Sequence, residues 1–348
     1  AVHDSDMKSR VYPTYKTKYH VANWPEYERA LVQRGDVTLW LSADAIAAWT
    51  PRPSGRRGGQ RKFSDHAIET ALLEEGALDQ LSLAYQPIFN LRTGQLSSFE
   101  ALARWEHPVL GNISPGQFIP IAERIGCIRP ITLALLSRAV DFAAEWPASC
   151  RLSFNLSAAH ICGGDAASEI VALIKQKNYP AERLQLEITE TAMLVDFATA
   201  RRNVDMLREA GCRVALDDFG AGFASLVYLR EIRFDKVKID GSLIKRARHP
   251  QGRDMLRGVV KMIAAMKLES VAEFIATSGD RETARELGAE FGQGYHLGYP
   301  LDEEGTRDLL AQYHWPHSTK VRSLANWELD RQEALAPSAR PLPLTREK

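Results

Sequence analysis

Six short apolar runs along the chain each carry an acidic or amide residue at or near their end. They are Ser98-Phe-Glu-Ala-Leu102, Leu152-Ser-Phe-Asn155, Leu184-Gln-Leu-Glu187, Val214-Ala-Leu-Asp-Asp218, Val237-Lys-Ile-Asp240 and Ser270-Val-Ala-Glu273. Most precede a stretch with helical periodicity, so the pattern predicts repeated strand-then-helix units with polar groups at the carboxyl ends of the strands. A helix is predicted over Ala67 to Gly76 and a first strand over Leu81 to Tyr85. Ser114 caps a further helix that has Pro115 at its first position. Later helical patterns run over about 130–145, 165–177, 197–210, 253–267, 279–288 and 303–313. Continuous β/α alternation over 66–313 predicts an α/β fold and is long enough for one β/α barrel. In such barrels the carboxyl ends of the strands meet at one face, which holds the active site. Residues far apart in sequence are thus expected to converge on one acidic pocket.

The flanks differ in character. Residues 1–64 are rich in Tyr, Trp, Lys and Arg and end in Pro51-Arg-Pro-Ser-Gly-Arg-Arg-Gly-Gly-Gln-Arg-Lys62, a Pro, Gly and charge cluster that reads as a linker. Residues 315–348 contain four prolines, many charges and little apolar periodicity, and are expected to form a poorly ordered tail with one short helix near Leu324 to Ala334. Lys plus Arg and Asp plus Glu each number 44, so net charge gives no global reason to expect nucleic-acid or membrane binding. Cys127, Cys150, Cys162 and Cys212 lack C-x-x-C spacing and read as reduced thiols rather than a zinc or disulfide scaffold. No stretch approaches the ~18 apolar residues of a membrane span, and a soluble, cytoplasmic protein is expected.

Glu100, Asn155, Glu187, Asp217, Asp218 and Glu273 would bring five carboxylates and an amide together. Without counter-charge such carboxylates repel and are driven towards protonation. Hard divalent cations remove that conflict, and oxygen-only donors suit Mg²⁺ or Mn²⁺ better than zinc. Adjacent Asp217 and Asp218 suit two ions about 3.5–4 Å apart. Lys238 lies in an apolar strand, where a buried cation requires an acidic partner. Lys236 and Asp240 share its parity, so alternation alone does not select Lys238.

The chain resembles the EAL-domain cyclic di-GMP phosphodiesterase family over residues 66–313. The resemblance rests on Phe99-Glu-Ala-Leu-Ala-Arg-Trp105, Gln86-Pro-Ile88, His107-Pro108, Ser114-Pro-Gly-Gln-Phe-Ile-Pro120, Ala122-Glu123, Asn155-Leu-Ser157, Glu187-Ile-Thr-Glu190, Asp217-Asp-Phe-Gly-Ala-Gly-Phe223, Lys238-Ile-Asp240, Ala272-Glu273 and Gln293-Gly-Tyr295, in order and at matching spacing. It implies a modified (β/α)₈ TIM-type barrel whose first strand is antiparallel, with a small N-terminal extension, and hydrolysis of cyclic di-GMP to linear pGpG. It also implies that Glu100, Asn155, Glu187, Asp217, Asp218 and Glu273 hold two Mg²⁺ or Mn²⁺ ions. Lys238 would orient the attacking water and stabilise charge developing on the phosphate, and Gln293 would lie near that water. Glu190 would anchor the loop beginning at Asp217. Gln86, Glu100, Leu102, Arg104 and Pro300 would contact the dinucleotide, and a homodimer is expected.

Two features depart from this picture. The family's Ala-Glu-Gly-Val-Glu-Thr is here Ala272-Glu-Phe-Ile-Ala-Thr277, so Phe274 stands for a glycine and Ala276 for a glutamate. Loss of a carboxylate supporting a metal site costs about 10–100-fold, and the alternative is a weak or inactive domain that acts as a cyclic di-GMP receptor. The N-terminal segment resembles the start of insertion-sequence transposases through Tyr15-Lys-Thr-Lys-Tyr19, Asn23-Trp24, Leu31-Val-Gln-Arg-Gly35, Leu39-Trp40, Ala45-Ile-Ala-Ala-Trp49 and Phe63-Ser-Asp65. It reads as a truncated fragment fused to the barrel, without catalysis and without a role in binding nucleic acid.

Overall fold

The computed structural model describes residues 63–189, 192, 195–220 and 225–313. The transposase-like segment through residue 62, Glu190, and the tail from residue 314 with its expected helix lie outside the described residues. After a first helix, α1 (Asp65–Leu73), capped by Ser64, strands β1 (Leu81–Asn90) and β2 (Leu96–His107) form an antiparallel hairpin paired from Leu81–Trp105 to Phe89–Leu96. The Asn90 side chain shapes the turn by accepting from the backbone N–H groups of Arg92 and Thr93, at 3.1 and 2.9 Å. Strands β4 (Arg151–Leu156), β5 (Leu184–Thr189), β6 (Arg213–Phe219), β7 (Lys236–Ile239), β8 (Glu269–Ala272) and β9 (Phe291–Gly292) follow. The sheet runs β1-β9-β8-β7-β6-β5-β4-β2 and closes through the β1–β2 pairing. Strand β1 is antiparallel to both neighbours and the other contacts around the ring are parallel. The fold is therefore the modified (β/α)₈ barrel, with a short β3 (Gly111–Ile113) added outside the ring on β2.

Near-continuous burial along β5 and β7 reflects strands covered on both faces. The outer layer contains α2 (Pro115–Arg124), α3 (Ile128–Ala143), α4 (Ala158–Ile161), α5 (Ala166–Gln176), α6 (Phe197–Glu209), α7 (Ser225–Glu231), α8 (Gly241–Arg246), α9 (Pro250–Ala265), α10 (Ser278–Glu286) and α11 (Glu303–Gln312). Each long helix turns one apolar stripe inward; in α9 it is Leu256, Val260 and Ile263. Where α3 covers the hairpin, Tyr85, Phe99, Phe142 and Trp146 form an aromatic cluster with centroids 4.9–5.6 Å apart. All four cysteines are free, Cys150 and Cys212 buried and the others half-buried.

Two local readings change. Strand β7 stops at Ile239, and Asp240 instead caps α8 by accepting from Ser242 N–H at 2.9 Å, so its parity with Lys238 does not bring it to the strand face. Strand β2 continues to His107, which places Glu100 in mid-strand rather than at a strand end. The hairpin partner β1 and the outer β3 keep β2 paired beyond the ring, and this extends it.

Candidate active site

Glu100, Leu102 and Arg104 alternate on β2, Glu187 follows Gln185 on β5, and Lys238 follows Lys236 on β7. Period-two geometry puts each set on one strand face. Adjacent Asp217 and Asp218 would point oppositely under that rule, but the β6–β7 register shifts between Leu216 and Phe219. This gives β6 one extra residue, and Asp218 takes φ +57°, a left-handed conformation that a short acid tolerates. Asp218 N–H donates to Asp217 Oδ1 at 2.9 Å. Through this bulge Asp217, Asp218 and Glu273, which follows the end of β8, bring carboxylate oxygens within 4.8 Å of one another.

Lys238 is 1% exposed and surrounded by acids. Its Nζ lies 2.6 Å from Glu187, 2.9 Å from Glu273, and 3.2 Å from both Glu100 and Asp217. Lys236, one pleat deeper, meets Glu269 at 3.4 Å and sits 4.6 Å from the Phe291 ring centroid. The partners therefore separate two lysines that parity left equivalent. Amide donors complete the cluster: Asn155 Nδ2 donates to Glu100 Oε1 at 2.5 Å, and Gln293 Nε2 donates to Glu100 Oε2 at 2.7 Å and to Gln86 Oε1 at 3.2 Å. Gln86 in turn donates to the Gly298 carbonyl at 3.2 Å.

Four carboxylates pair with the buried Lys238 ammonium and Asp218 adjoins them, and the electrostatics follow. Burial pushes the Glu187 carboxyl up to about 7, with Lys238 opposing the shift. Burial likewise holds Glu273 well above its ordinary value, and burial with neighbouring Asp217 raises Asp218. Glu100 is different: burial would raise it, but Lys238 and donors from Gln293 and Asn155 bring it below the usual carboxylate range. Lys238 is held well above the ordinary lysine value, its acidic neighbours overcoming burial. Excess negative charge on oxygen-only donors fits a hard divalent cation at Asp217, Asp218 and Glu273, with Glu100, Glu187 and Asn155 adjoining them.

Of these groups Glu100, Asp217, Asp218, Lys238, Glu273 and Gln293 line a cavity of about 450 Å³, within the usual range for small-ligand sites. Gln86, Leu102, Arg104 and Pro300 line it, as do the less expected Lys245, Phe274, Ala276 and Tyr295. Sequence reasoning also passed over Gln185. Its amide is buried and donates to Ser153 Oγ at 2.8 Å and Glu187 Oε1 at 3.0 Å. Its position two residues before Glu187 on the same strand was the available signal.

A closed barrel with an antiparallel first strand, and an acidic oxygen-donor pocket beside a buried lysine, defines a β/α barrel with a candidate metal site. Residues 67–300 match the family model described as EAL domain, and the chain belongs to that family. It is 37% identical over 247 residues to an uncharacterized protein of Sinorhizobium fredii, covering 70% of this chain and 30% of that protein. It is 32% identical over 239 residues to a cyclic di-GMP phosphodiesterase of Pseudomonas aeruginosa, covering 68% of this chain and 41% of the relative. The chain thus spans less than half the length of these curated relatives. Among solved structures it is similar to the PaMucR phosphodiesterase in complex with c-di-GMP, with TM-score 0.64, 30% identity, and coverage of 69% and 99%. An EAL enzyme bound to cAMP and cyclic di-GMP superposes with TM-score 0.66 at 27% identity, covering 71% and 69%. Among the described residues no helix is long and apolar enough to cross a membrane.

Proposed function

We propose that this chain hydrolyses cyclic di-GMP to linear pGpG with Mg²⁺ or Mn²⁺, the barrel over 66–313 acting as the functional unit and associating as a homodimer. The observation that carries this reading is Lys238 held among Glu100, Glu187, Asp217 and Glu273, beside the Asp217–Asp218–Glu273 group. Glu100, Asn155, Glu187, Asp217, Asp218 and Glu273 would hold the ions. Two divalent ions supply charge neutralisation and a more acidic water. The chain's own part is preorganisation. Lys238 keeps a fixed positive charge at a buried position, where it offsets negative charge developing on the phosphate. Gln293 fixes Glu100 and reaches Gln86, linking the acidic cluster to the substrate wall. Arg104 offers a planar fork suited to phosphate or a guanine edge, and Leu102 and Pro300 supply apolar wall. Glu190 retains its proposed role as loop anchor by resemblance. Asp217→Asn and Glu100→Ala are the test: turnover disappears in both, and activity retained in both would exclude the mechanism. Phe274 and Ala276 at the cavity wall support a second reading, a receptor that binds cyclic di-GMP without cleaving it; tight binding in Mg²⁺ without pGpG would identify it.

A further inference from the structure

Phe274 follows Glu273 at the end of β8, and its backbone takes φ +52°. That conformation suits glycine and strains a bulky residue, and strain of this kind collects at ligand sites. Burial of the ring does little to offset the strain, because Phe274 is 57% exposed. The residue instead forms part of the cavity wall beside the acidic cluster. Two neighbours fix it there. A Cβ at Gly241 would lie 2.5 Å from Phe274 Cβ and 2.6 Å from Cγ and Cδ2, so α8 begins with the one residue that leaves space for this side chain. Lys245, on the same helix, holds its ammonium 5.7 Å from the ring centroid, within cation–π range. Ala276, which also lines the cavity, brings no charge to this wall.

Resting on the reading of the substrate as a cyclic purine dinucleotide, we propose that Phe274 is a stacking platform for one of its bases. A partly exposed aromatic ring, backed by Gly241 and Lys245 and lining the cavity beside the acidic cluster, offers the face that a purine covers. The residue binds and orients substrate and takes no part in bond cleavage. The test compares Phe274→Gly, Phe274→Leu and Phe274→Tyr with the full chain, reading KM and kcat for cyclic di-GMP, or the calorimetric Kd where turnover is absent. Glycine suits the backbone at this position, so the melting temperature of Phe274→Gly, unchanged or higher, serves as the folding control. Stacking predicts that Gly and Leu raise KM or Kd on the order of tenfold, with the loss in kcat/KM carried by KM, and that Tyr keeps the wild-type value. A leucine variant equal to wild type, or a glycine variant with unchanged KM, overturns the proposal while leaving the proposed function intact. A wild-type chain that neither binds nor cleaves cyclic di-GMP removes the functional reading and this inference with it.

Discussion

Lys238→Met probes the electrostatics of the pocket. Methionine keeps an unbranched stem and removes the ammonium that lies 2.6–3.2 Å from four carboxylates. Only one side of a buried ion cluster is deleted, so the acids lose their cation without being replaced, a change that costs about 3–5 kcal/mol. For a domain of this size each kcal/mol moves Tm by roughly 2–4 °C, giving an expected fall of about 6–20 °C in EDTA. The sign with pH is fixed by the direction of the lysine shift. Its folded pKa lies well above 10.5, so its contribution is fully present below 10.5 and is lost only as pH rises through the folded value. An assay near pH 7.5 therefore reads it whole. The deficit should narrow at about pH 5, where the abandoned carboxylates take up protons, and should narrow again in Mg²⁺. If the proposed hydrolysis holds, kcat should fall at least about 100-fold, as when a preorganised, buried electrostatic partner is removed. Calorimetric melting of both proteins in EDTA provides the check. A Tm difference below about 2 °C near neutral pH would refute the idea that Lys238 compensates the acids.

Three further outcomes follow from other positions. Burial holds Glu187 at about 7 and Glu273 well above its usual range, so divalent ions must displace protons. Mg²⁺ affinity should rise from pH 6 to 8 and the heat of binding should vary with buffer ionisation enthalpy; a flat profile would contradict this. Burial lowers His160 below its ordinary 6.5, and neither ring nitrogen has a hydrogen-bond partner among the described residues. Its stabilising contribution is thus full above 6.5 and lost as pH falls from there towards the folded value. Urea melts should show His160→Gln gaining on wild type between about pH 6.5 and 5 and not above pH 7, and the opposite trend would exclude the assignment. Gly294 has φ +151°, and a Cβ there would lie 2.3 Å from the backbone N and O of Ile275. Gly294→Ala should cost about 1–3 kcal/mol in denaturant unfolding, and an unchanged midpoint would count against the strain.

The parts of this molecule legible in sequence are those governed by alternation and by residue chemistry. Apolar runs ending in Asn155, Glu187 and Glu273 became parallel strands around the ring, whereas Lys238, singled out from Lys236 by resemblance and not by alternation, lies within 2.6–2.9 Å of Glu187 and Glu273. What was not legible depends on backbone events that one residue's identity does not announce. The Asp217–Asp218 pair reaches one face only because of a bulge and a left-handed Asp218. Asp240 matched Lys238 in parity but became a helix cap because the strand ended one residue earlier. Helices α7 and α8 are too short to display a 3.6-residue period. Glu100 appeared to end a strand because the hairpin that prolongs β2 is made by pairing with β1 and β3, a tertiary fact. Phe274 could be read as a departure, but its strained backbone and the space left by Gly241 emerge only in three dimensions.

Hydrolysis is read directly by incubating the purified full chain with cyclic di-GMP and Mg²⁺ or Mn²⁺, and separating the products by chromatography against an EDTA control. Linear pGpG that depends on the metal and vanishes with the chelator is the expected product; folded protein that yields no pGpG with either ion would contradict hydrolysis and leave cyclic di-GMP binding without cleavage as the reading.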